Sequence, residues 1–312
     1  MFRFLAPVYL GWALGANDAS NVFGTTVASK MISFRTAALL CAAFVILGAL
    51  LGGAAGMETL GGLSEFDSTA AVGASLAAAM AVTLMTVLSL PVSTSQAVVG
   101  AIIGYGLLDG GVHTNGLLQV MVCWVGTPIG AMLAAIVLYP ILAPVFNYLA
   151  RRMILYDAIL RICLIVVGCY GAYALGANNA ANVTGVFVGA GIVSPLTGAA
   201  IAGASIGLGA MTFGRRVMMT VGRGIIGMNA YTALIVVLSE ALTVHFYAIV
   251  GVPVSTSQAV VGAAVGVGLL KSVETVHTKA LLCILAGWLA TPLVAGVCAM
   301  ALYFVMHLLF IA

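Results

Sequence analysis

The chain has 312 residues, of which 63% are hydrophobic and 6% are charged, and its formal net charge is +3. Soluble domains carry about 25% charged residues, so this composition excludes an ordinary soluble fold as well as a disordered chain. Eleven Lys and Arg residues against eight Asp and Glu cannot neutralise a nucleic-acid backbone, so we expect no nucleic-acid partner. The solvent that suits the chain is the lipid bilayer, and we expect an integral membrane protein.

Long apolar runs fill the sequence, which predicts an all-α membrane protein and not a β-barrel of short alternating segments. The N-terminus has one basic residue and no small-residue cleavage site, so we interpret it as the start of the first helix and not as a removed signal. Six further runs each supply the roughly 20 apolar residues of a spanning helix. They are residues 36–56, 71–90, 117–143, 193–212, 231–252 and 280–311.

The sequence contains one unit twice. WALGANDASNVFG at residues 12–24 is matched by YALGANNAANVTG at 173–185, and PVSTSQAVVG stands at both 91–100 and 253–262. Such identity at a nearly constant offset indicates a tandem duplication. We predict membrane repeat 1 at residues 1–148, a cytoplasmic junction at 149–158 and membrane repeat 2 at 159–312. In each repeat we expect a first helix that is broken at its GAN motif, and a helical hairpin with a PVSTS tip.

The charge distribution predicts the orientation. Each half crosses the membrane an odd number of times, whether its hairpin is re-entrant or spanning, so the two repeats have inverted topology. Ten basic residues then fall on one side, and Arg3 alone falls on the other. By the positive-inside rule we expect a multi-pass plasma-membrane protein with both termini outside. The ten are Lys30, Arg35, Arg151, Arg152, Arg161, Arg215, Arg216, Arg223, Lys271 and Lys279.

Polar side chains interrupt the first helix of each repeat at its GAN motif. Such groups are costly within a membrane unless they face a cavity or a ligand. Gly15 and Gly176 would let the helix open and free backbone carbonyl groups for a cation. We therefore expect a cation-coupling site, against the alternative that these side chains only join helices by hydrogen bonds. The residues are Asn17, Asp18 and Asn21, with Asn178, Asn179 and Asn182 as their twins.

Each PVSTS segment has the composition of a helix start, because a proline precedes hydroxyl residues. A helix N-terminus presents free N–H groups and the positive end of the helix dipole, which favour an anion. Two such tips from opposite sides could enclose one oxyanion; the alternative is that they only cap two helices. The residues expected to bind the substrate are Ser93, Thr94 and Ser95 after Pro91, and Ser255, Thr256 and Ser257 after Pro253.

Glu240 is the second acidic residue expected within a span, after Asp18, and its counterpart in the first repeat is Ala78. An intramembrane carboxylate indicates a functional site. Glu240 could carry a coupling proton or complete a cation site. The alternative places it near a helix end, in contact with water. His245 follows five residues later, and we expect a structural role for it.

The doubled GAN and PVSTS motifs resemble those of the inorganic phosphate transporter (PiT) family, and the resemblance covers essentially the whole chain. It implies secondary symport of inorganic phosphate with Na⁺ or H⁺ and no other cofactor. Position by position, it implies cation sites at the GAN residues, with Na⁺ at Asp18, Asn17 and Asn178. It also implies phosphate binding at the two STS segments. We expect the tips to open alternately to the two sides of the membrane.

One position departs from the signature of that family, since Asn179 stands where Asp is usual. Asn keeps a carbonyl oxygen but loses the charge, which weakens one of two equivalent cation sites or changes the coupling stoichiometry. Phosphate carries a proton that a carboxylate can accept, whereas sulfate carries none. The alternative substrate is therefore sulfate, which a branch of the family transports, or another tetrahedral oxyanion.

Other classes of protein fit less well. A channel would need a continuous polar pore lining and no paired tips. An enzyme would need a nucleophile with a nearby base or a set of metal ligands, and the sequence suggests neither. We therefore predict a transporter and not an enzyme. Helix faces of small residues permit a homodimer but do not require one.

Overall fold

A computed structural model describes residues 2–28, 30–88, 92–109, 111–214, 229–271 and 278–310. Eleven α-helices and no strands are found in these ranges. The first half contains α1 (Leu5–Ala28), α2 (Phe34–Gly52), α3 (Ala54–Gly61), α4 (Ser68–Val87), α5 (Thr94–Asp109) and α6 (Thr114–Leu149). The second half contains α7 (Met153–Gly189), α8 (Pro195–Thr212), α9 (Ala230–Val250), α10 (Thr256–Lys271) and α11 (Thr278–Phe310).

Seven of these helices are long and apolar enough to cross a membrane, judged by length and composition: α2, α4, α6, α7, α8, α9 and α11. Six of them coincide with the apolar runs of the sequence, which confirms an all-helical membrane protein. The outer face of α6 shows why the composition is so apolar. Val125, Ile129 and Leu133 lie four residues apart and are exposed, and such a stripe suits lipid rather than water.

The duplication is visible in the helix packing. Gly15 on α1 contacts the backbone carbonyl of Ile206 on α8, and its twin Gly176 on α7 contacts that of Val45 on α2. The contact between α1 and α8 includes glycine from both helices, because Gly209 of α8 packs against the backbone carbonyl of Trp12 on α1. Each GAN helix therefore packs against the second helix of the other repeat. Small residues permit this close approach of helix backbones in lipid.

The expected break in the first helix of each repeat is wrong. Both α1 and α7 run without interruption through their GAN motifs. Gly15 and Gly176 serve a different purpose there, because a Cβ at either position would overlap the backbone of the neighbouring helix. A helix boundary lies instead at Gly53, where α2 ends and α3 begins. Glycine supplies a close contact as readily as a helix break, and only the packing decides between them.

Each repeat also contains a helical hairpin, formed by α4 and α5 in the first half and by α9 and α10 in the second. The returning helix packs against the last helix of the other repeat, α5 on α11 and α10 on α6. Gly100 contacts Pro292, and Gly262 contacts Pro128. This exchange ties each hairpin to the opposite half, so the two repeats form a single interlocked bundle.

Some positions in the sequence-based predictions lie outside the described residues. These are Pro91 at the first tip and the basic residues Arg215, Arg216 and Arg223. The predicted junction at 149–158 falls where α6 ends at Leu149 and α7 begins at Met153. Its cytoplasmic location stays a prediction.

Replacing Gly15 or Gly176 with alanine should lower the free energy of unfolding, because the added Cβ would push apart α1 and α8 or α7 and α2. Overpacking of this kind costs about 1–3 kcal/mol. Thermal unfolding of the detergent-solubilised protein measures the effect.

The matched control is Gly130→Ala, because a Cβ at Gly130 would meet Thr243 Cγ2 at 3.5 Å, an ordinary van der Waals distance. We expect this variant to unfold at the wild-type temperature. If G15A and G176A did so too, the assigned helix contacts would be incorrect.

Candidate functional site

The two PVSTS tips meet inside the protein. Ser95 Oγ on the first tip donates a hydrogen bond to the carbonyl oxygen of Val254 on the second, at 2.7 Å. In return, Ser257 Oγ donates to the carbonyl oxygen of Val92 at 3.3 Å. The duplication relates these two bonds to each other. The tips of the two repeats are therefore in direct contact with each other.

Part of each tip caps a helix. Ser93 Oγ accepts a hydrogen bond from the Gln96 N–H, and Ser255 Oγ accepts one from the Gln258 N–H. Ser93 and Ser255 thus satisfy one N–H group each at the starts of α5 and α10, as the alternative interpretation predicted. The first N–H groups of any helix have no partner within that helix, and such groups can bind an anion. Capping and anion binding are therefore compatible functions of these segments.

Asp18 lies at the centre of the polar residues and is completely buried. Its Oδ2 accepts hydrogen bonds from Thr94 Oγ1 at 2.9 Å and from Asn179 Nδ2 at 3.3 Å. Its Oδ1 accepts from Asn17 Nδ2 at 3.2 Å, and the Thr256 hydroxyl contacts the same carboxylate. Across the described ranges no Lys or Arg is buried, so the charge of Asp18 is met by hydroxyl and amide groups alone.

The asparagines of the second GAN motif extend this network. Asn182 Nδ2 donates to Asn179 Oδ1 at 2.7 Å and to Ser95 Oγ at 2.8 Å. Asn182 Oδ1 is buried and has no hydrogen-bond partner among the described residues. On the other side, Asn21 Nδ2 donates to Thr256 Oγ1 at 3.3 Å. The GAN residues of both repeats therefore contact the tips directly.

The first asparagine of each motif breaks the symmetry. Asn178 Nδ2 donates to the carbonyl oxygen of Val254 at 2.8 Å, and its Oδ1 accepts from the Val254 N–H at 2.8 Å. Asn17 is half-buried and donates to Asp18; in the described part of the chain it has no hydrogen bond to Val92. We call the paired bonds of Asn178 to Val254 the Asn178 clamp. It holds the second tip to α7.

Glu240 lies inside the bundle on α9 and is 1% exposed, so the alternative of a water-exposed helix end is wrong. Among the described residues its Oε2 has no hydrogen-bond partner. His245 lies apart from this network, where its Nδ1 is 2.9 Å from the Tyr170 hydroxyl. A functional role for Glu240 and a structural role for His245 stay predictions.

The atoms of the site that could coordinate a cation are oxygen atoms. Asp18, the asparagine carbonyl groups and the threonine hydroxyls are the ligand type that hard cations such as Na⁺ prefer. Within the described residues no group of three His, Cys, Asp or Glu side chains could hold a metal ion.

Two contributors to the site were not found from the sequence. The main chain of Val92 and Val254 accepts the serine hydrogen bonds, and no side-chain pattern predicts that. Thr59 on α3 donates to the carbonyl oxygen of Gly251 at 2.6 Å, where Gly251 ends α9 in a left-handed conformation with a φ of 83°. The only available signal was that Thr59 follows an apolar run, which is too weak to single it out.

Comparison with known proteins identifies the family of this chain. A model of the phosphate transporter family matches residues 14–299. A protein of Methanocaldococcus jannaschii with the provisional name of phosphate permease is 30% identical over 94% of this chain and 93% of its own. The sulfate permease CysP of Bacillus subtilis is 29% identical over 92% of this chain and 82% of its own.

A solved structure is also similar. The sodium-dependent phosphate transporter matches with a TM-score of 0.88 and 25% identity, over 98% of each chain. The doubled motifs, the paired tips and the family match over most of the length agree with one another. This multi-pass membrane protein is therefore a transporter and not an enzyme, and it belongs to the phosphate transporter family.

Proposed function

We propose that this protein is a secondary active symporter that imports inorganic phosphate together with Na⁺ or H⁺ by alternating access. The observation that carries the proposal is the buried Asp18, which hydrogen-bonds Thr94 of the first tip and Asn179 of the opposite repeat. One carboxylate thus joins both halves at the point where their tips meet. A cation bound there would change the charge next to the anion site, which is what coupling requires.

The anion is bound without basic side chains. The N-termini of α5 and α10 supply N–H groups and favourable helix dipoles, and the hydroxyl groups of the tips add further donors. We propose that Ser93, Thr94 and Ser95, with Ser255, Thr256 and Ser257, bind phosphate. A site of neutral donors holds the anion loosely enough for release, whereas a buried Lys or Arg would hold it more strongly.

The cation is bound next to the anion. We propose Asp18 as its charged ligand, with Asn17 and Asn178 as neutral oxygen ligands for Na⁺ and with Asn21 and Asn179 supporting them. Glu240 supplies a second buried carboxylate for a coupling proton or for a further cation. Since its Oε2 has no hydrogen-bond partner, that oxygen is free for either use.

Alternating access is supported by the asymmetry of the tips. The Asn178 clamp fixes the second tip, whereas the equivalent Asn17 is half-buried and bonded to Asp18. In an inverted-repeat transporter the opposite state exchanges the conformations of the two halves. Asn17 would then clamp Val92, and Asn178 would release Val254. The proposal also covers location and assembly. We propose a plasma-membrane protein with inverted repeats and with both termini outside. We further propose that faces of small residues join two copies into a homodimer.

Sulfate is the second candidate substrate. The similarity to a sulfate permease favours it, and so does Asn179, because it removes one carboxylate that could accept a phosphate proton. Phosphate remains the first choice, because Asp18 is present and the matching family model describes phosphate transporters.

The proposal is tested by uptake of radiolabelled phosphate into proteoliposomes, with Na⁺ and H⁺ gradients imposed separately. We expect phosphate to accumulate against its gradient with one of the two ions and to stop when that gradient is abolished. Uptake of labelled sulfate but not of phosphate would identify the second candidate. Downhill flux that neither gradient accelerates would instead indicate a channel.

Asp18→Asn should abolish gradient-driven uptake, because it removes the charge that attracts the coupling cation while preserving the size of the side chain. Loss of a charged hydrogen-bonding partner costs about 1.5–3 kcal/mol, which corresponds to at least tenfold in rate. The same uptake assay measures it.

Glu58→Gln is the matched control, because Glu58 is exposed on α3, and we expect wild-type uptake from it. An Asp18→Asn variant that accumulates phosphate at the normal rate and with the normal ion dependence would disprove the cation site.

Ser95→Ala and Ser257→Ala should weaken phosphate binding more than cation binding, because each removes a hydroxyl group at the contact between the tips. Loss of one hydrogen bond of this kind costs about 0.5–1.5 kcal/mol, a few-fold in affinity. Titration of uptake with phosphate and with the coupling ion separates the two effects. Equal losses for both ions would mean that the serines only join the tips.

Asn17→Ala and Asn178→Ala should both slow uptake by about tenfold, although only Asn178 is bonded to a tip backbone in this structure. The reason is that each asparagine clamps its own tip in one of the two states. Asn147→Ala, at an exposed position of α6, is the control. If Asn17→Ala transported at the wild-type rate, the two tips would not exchange roles.

A further inference from the structure

The hydrogen bonds around Asp18 fix the orientation of two neighbouring amides. An ionised carboxylate only accepts hydrogen bonds, so Asn179 must present Nδ2 to Asp18. Asn179 Oδ1 then accepts, and Asn182 must present its own Nδ2 to it, at 2.7 Å. The hydrogen bonds from Asp18 through Asn179 therefore determine which atom of the Asn182 amide is Nδ2 and which is Oδ1. The remaining atom of that amide is the carbonyl oxygen, Oδ1.

In the part of the chain that the structure describes, this carbonyl oxygen has no hydrogen-bond partner. Asn182 is 1% exposed, and its Oδ1 is a buried acceptor that the protein leaves unpaired. The Nδ2 atom of the same amide lies 2.8 Å from Ser95 Oγ, so the free oxygen is beside the first tip. Buried acceptors are nearly always paired, and an unpaired one in a binding site calls for a partner such as a water molecule, an ion or a group of the ligand.

Other unpaired oxygens in the described part of the chain are placed differently. Gln96 and Gln258 also have free Oε1 atoms, but each precedes by one helical turn a glycine that packs on another helix. Gly100 contacts Pro292 and Gly262 contacts Pro128. The two glutamines therefore lie on the helix faces turned to α11 and α6. Asn182 is the unpaired acceptor with a hydrogen bond to a tip serine.

We propose that Asn182 Oδ1 accepts a hydrogen bond from the hydroxyl group of the bound oxyanion and thereby selects phosphate over sulfate. The inference rests on the proposed function, and it assigns the free oxygen of Asn182 to the anion instead of to the cation. Near neutral pH, phosphate and arsenate keep at least one hydroxyl group, whereas sulfate and selenate present four acceptor oxygens. Placed against Asn182 Oδ1, sulfate leaves two acceptors facing each other without a proton between them.

The orientation of Asn182 explains how selectivity can survive the exchange of Asp for Asn at position 179. A site that pairs a substrate hydroxyl discriminates against analogues that lack it, because its own buried group would stay unsatisfied. Asn179 acts here as a positioning residue, because its Oδ1 holds the Asn182 amide with the oxygen free. A neutral acceptor also avoids the repulsion that a second carboxylate would exert on the anion.

Asn182→Leu tests the inference directly, because leucine has a similar size and no acceptor. Competition against labelled phosphate uptake gives the apparent affinities for phosphate, arsenate, sulfate and selenate. We expect wild type to favour the first two, and N182L to lose about tenfold in affinity for them with sulfate and selenate changed less than about twofold. Retained sulfate binding also shows that the variant is folded.

Asn21→Leu is the matched control, since Asn21 is the twin of Asn182 and hydrogen-bonds the other tip. It should weaken all four anions alike. If N182L weakened sulfate as much as phosphate, or changed only the dependence on the coupling ion, the inference would be overturned and Asn182 would be a cation ligand or a structural residue.

A measurement on the unmodified protein is independent of folding defects in the variants. Monofluorophosphate has the shape and charge of hydrogen phosphate but carries fluorine in place of the hydroxyl group. We expect it to compete about tenfold less well than phosphate. Equal competition would overturn the inference while leaving phosphate transport intact, whereas uptake of neither phosphate nor sulfate by wild type would overturn the proposed function itself.

Discussion

The burial of Asp18 without a cationic partner is the constraint on which the rest of the site depends. A carboxylate removed from water is stable only if hydrogen bonds or counter-ions surround it. Here the donors come from Asn17 on its own helix, from Thr94 on the first tip and from Asn179 in the other repeat. Any change in the charge of Asp18 therefore acts directly on the first tip and on the first helix of the other repeat. This connection links the charge of Asp18 to the contact between the two repeats.

The close helix packing around the site follows from the same requirement. Hydrogen bonds of about 3 Å between helices need backbones that approach closely, and glycine at positions such as Gly15 and Gly176 permits this. The exchange of hairpins between repeats, with α5 on α11 and α10 on α6, holds the tips opposite each other. The fold thus places two helix N-termini beside one carboxylate. Neither half could build that arrangement alone.

The sequence predicted those parts of the candidate site that lie in the two duplicated motifs. The tips meet, and Asp18 and the asparagines surround them, because a doubled motif must serve both halves. The helix break was predicted wrongly because Gly15 has two possible uses that look identical in a sequence. The Asn178 clamp could not be predicted at all, since its partner is the main chain of Val254 and any residue there would offer the same groups.

The different hydrogen bonds of Asn17 and Asn178 could not be predicted either, because the two motifs have nearly the same sequence and differ only in the conformation of this state. The burial of Glu240 became clear only from its place on α9 between other helices. Such features arise from the tertiary arrangement, which decides how a nearly symmetric pair of motifs is used asymmetrically.

The most direct measurement is the affinity of the purified protein for phosphate at a series of Na⁺ concentrations and pH values. If a cation at Asp18 is linked to the anion between the tips, phosphate affinity must rise with one of the two ions, and phosphate must raise the affinity for that ion by the same factor. This reciprocal increase is the result that the account predicts. Phosphate affinity that is independent of both ions would contradict it.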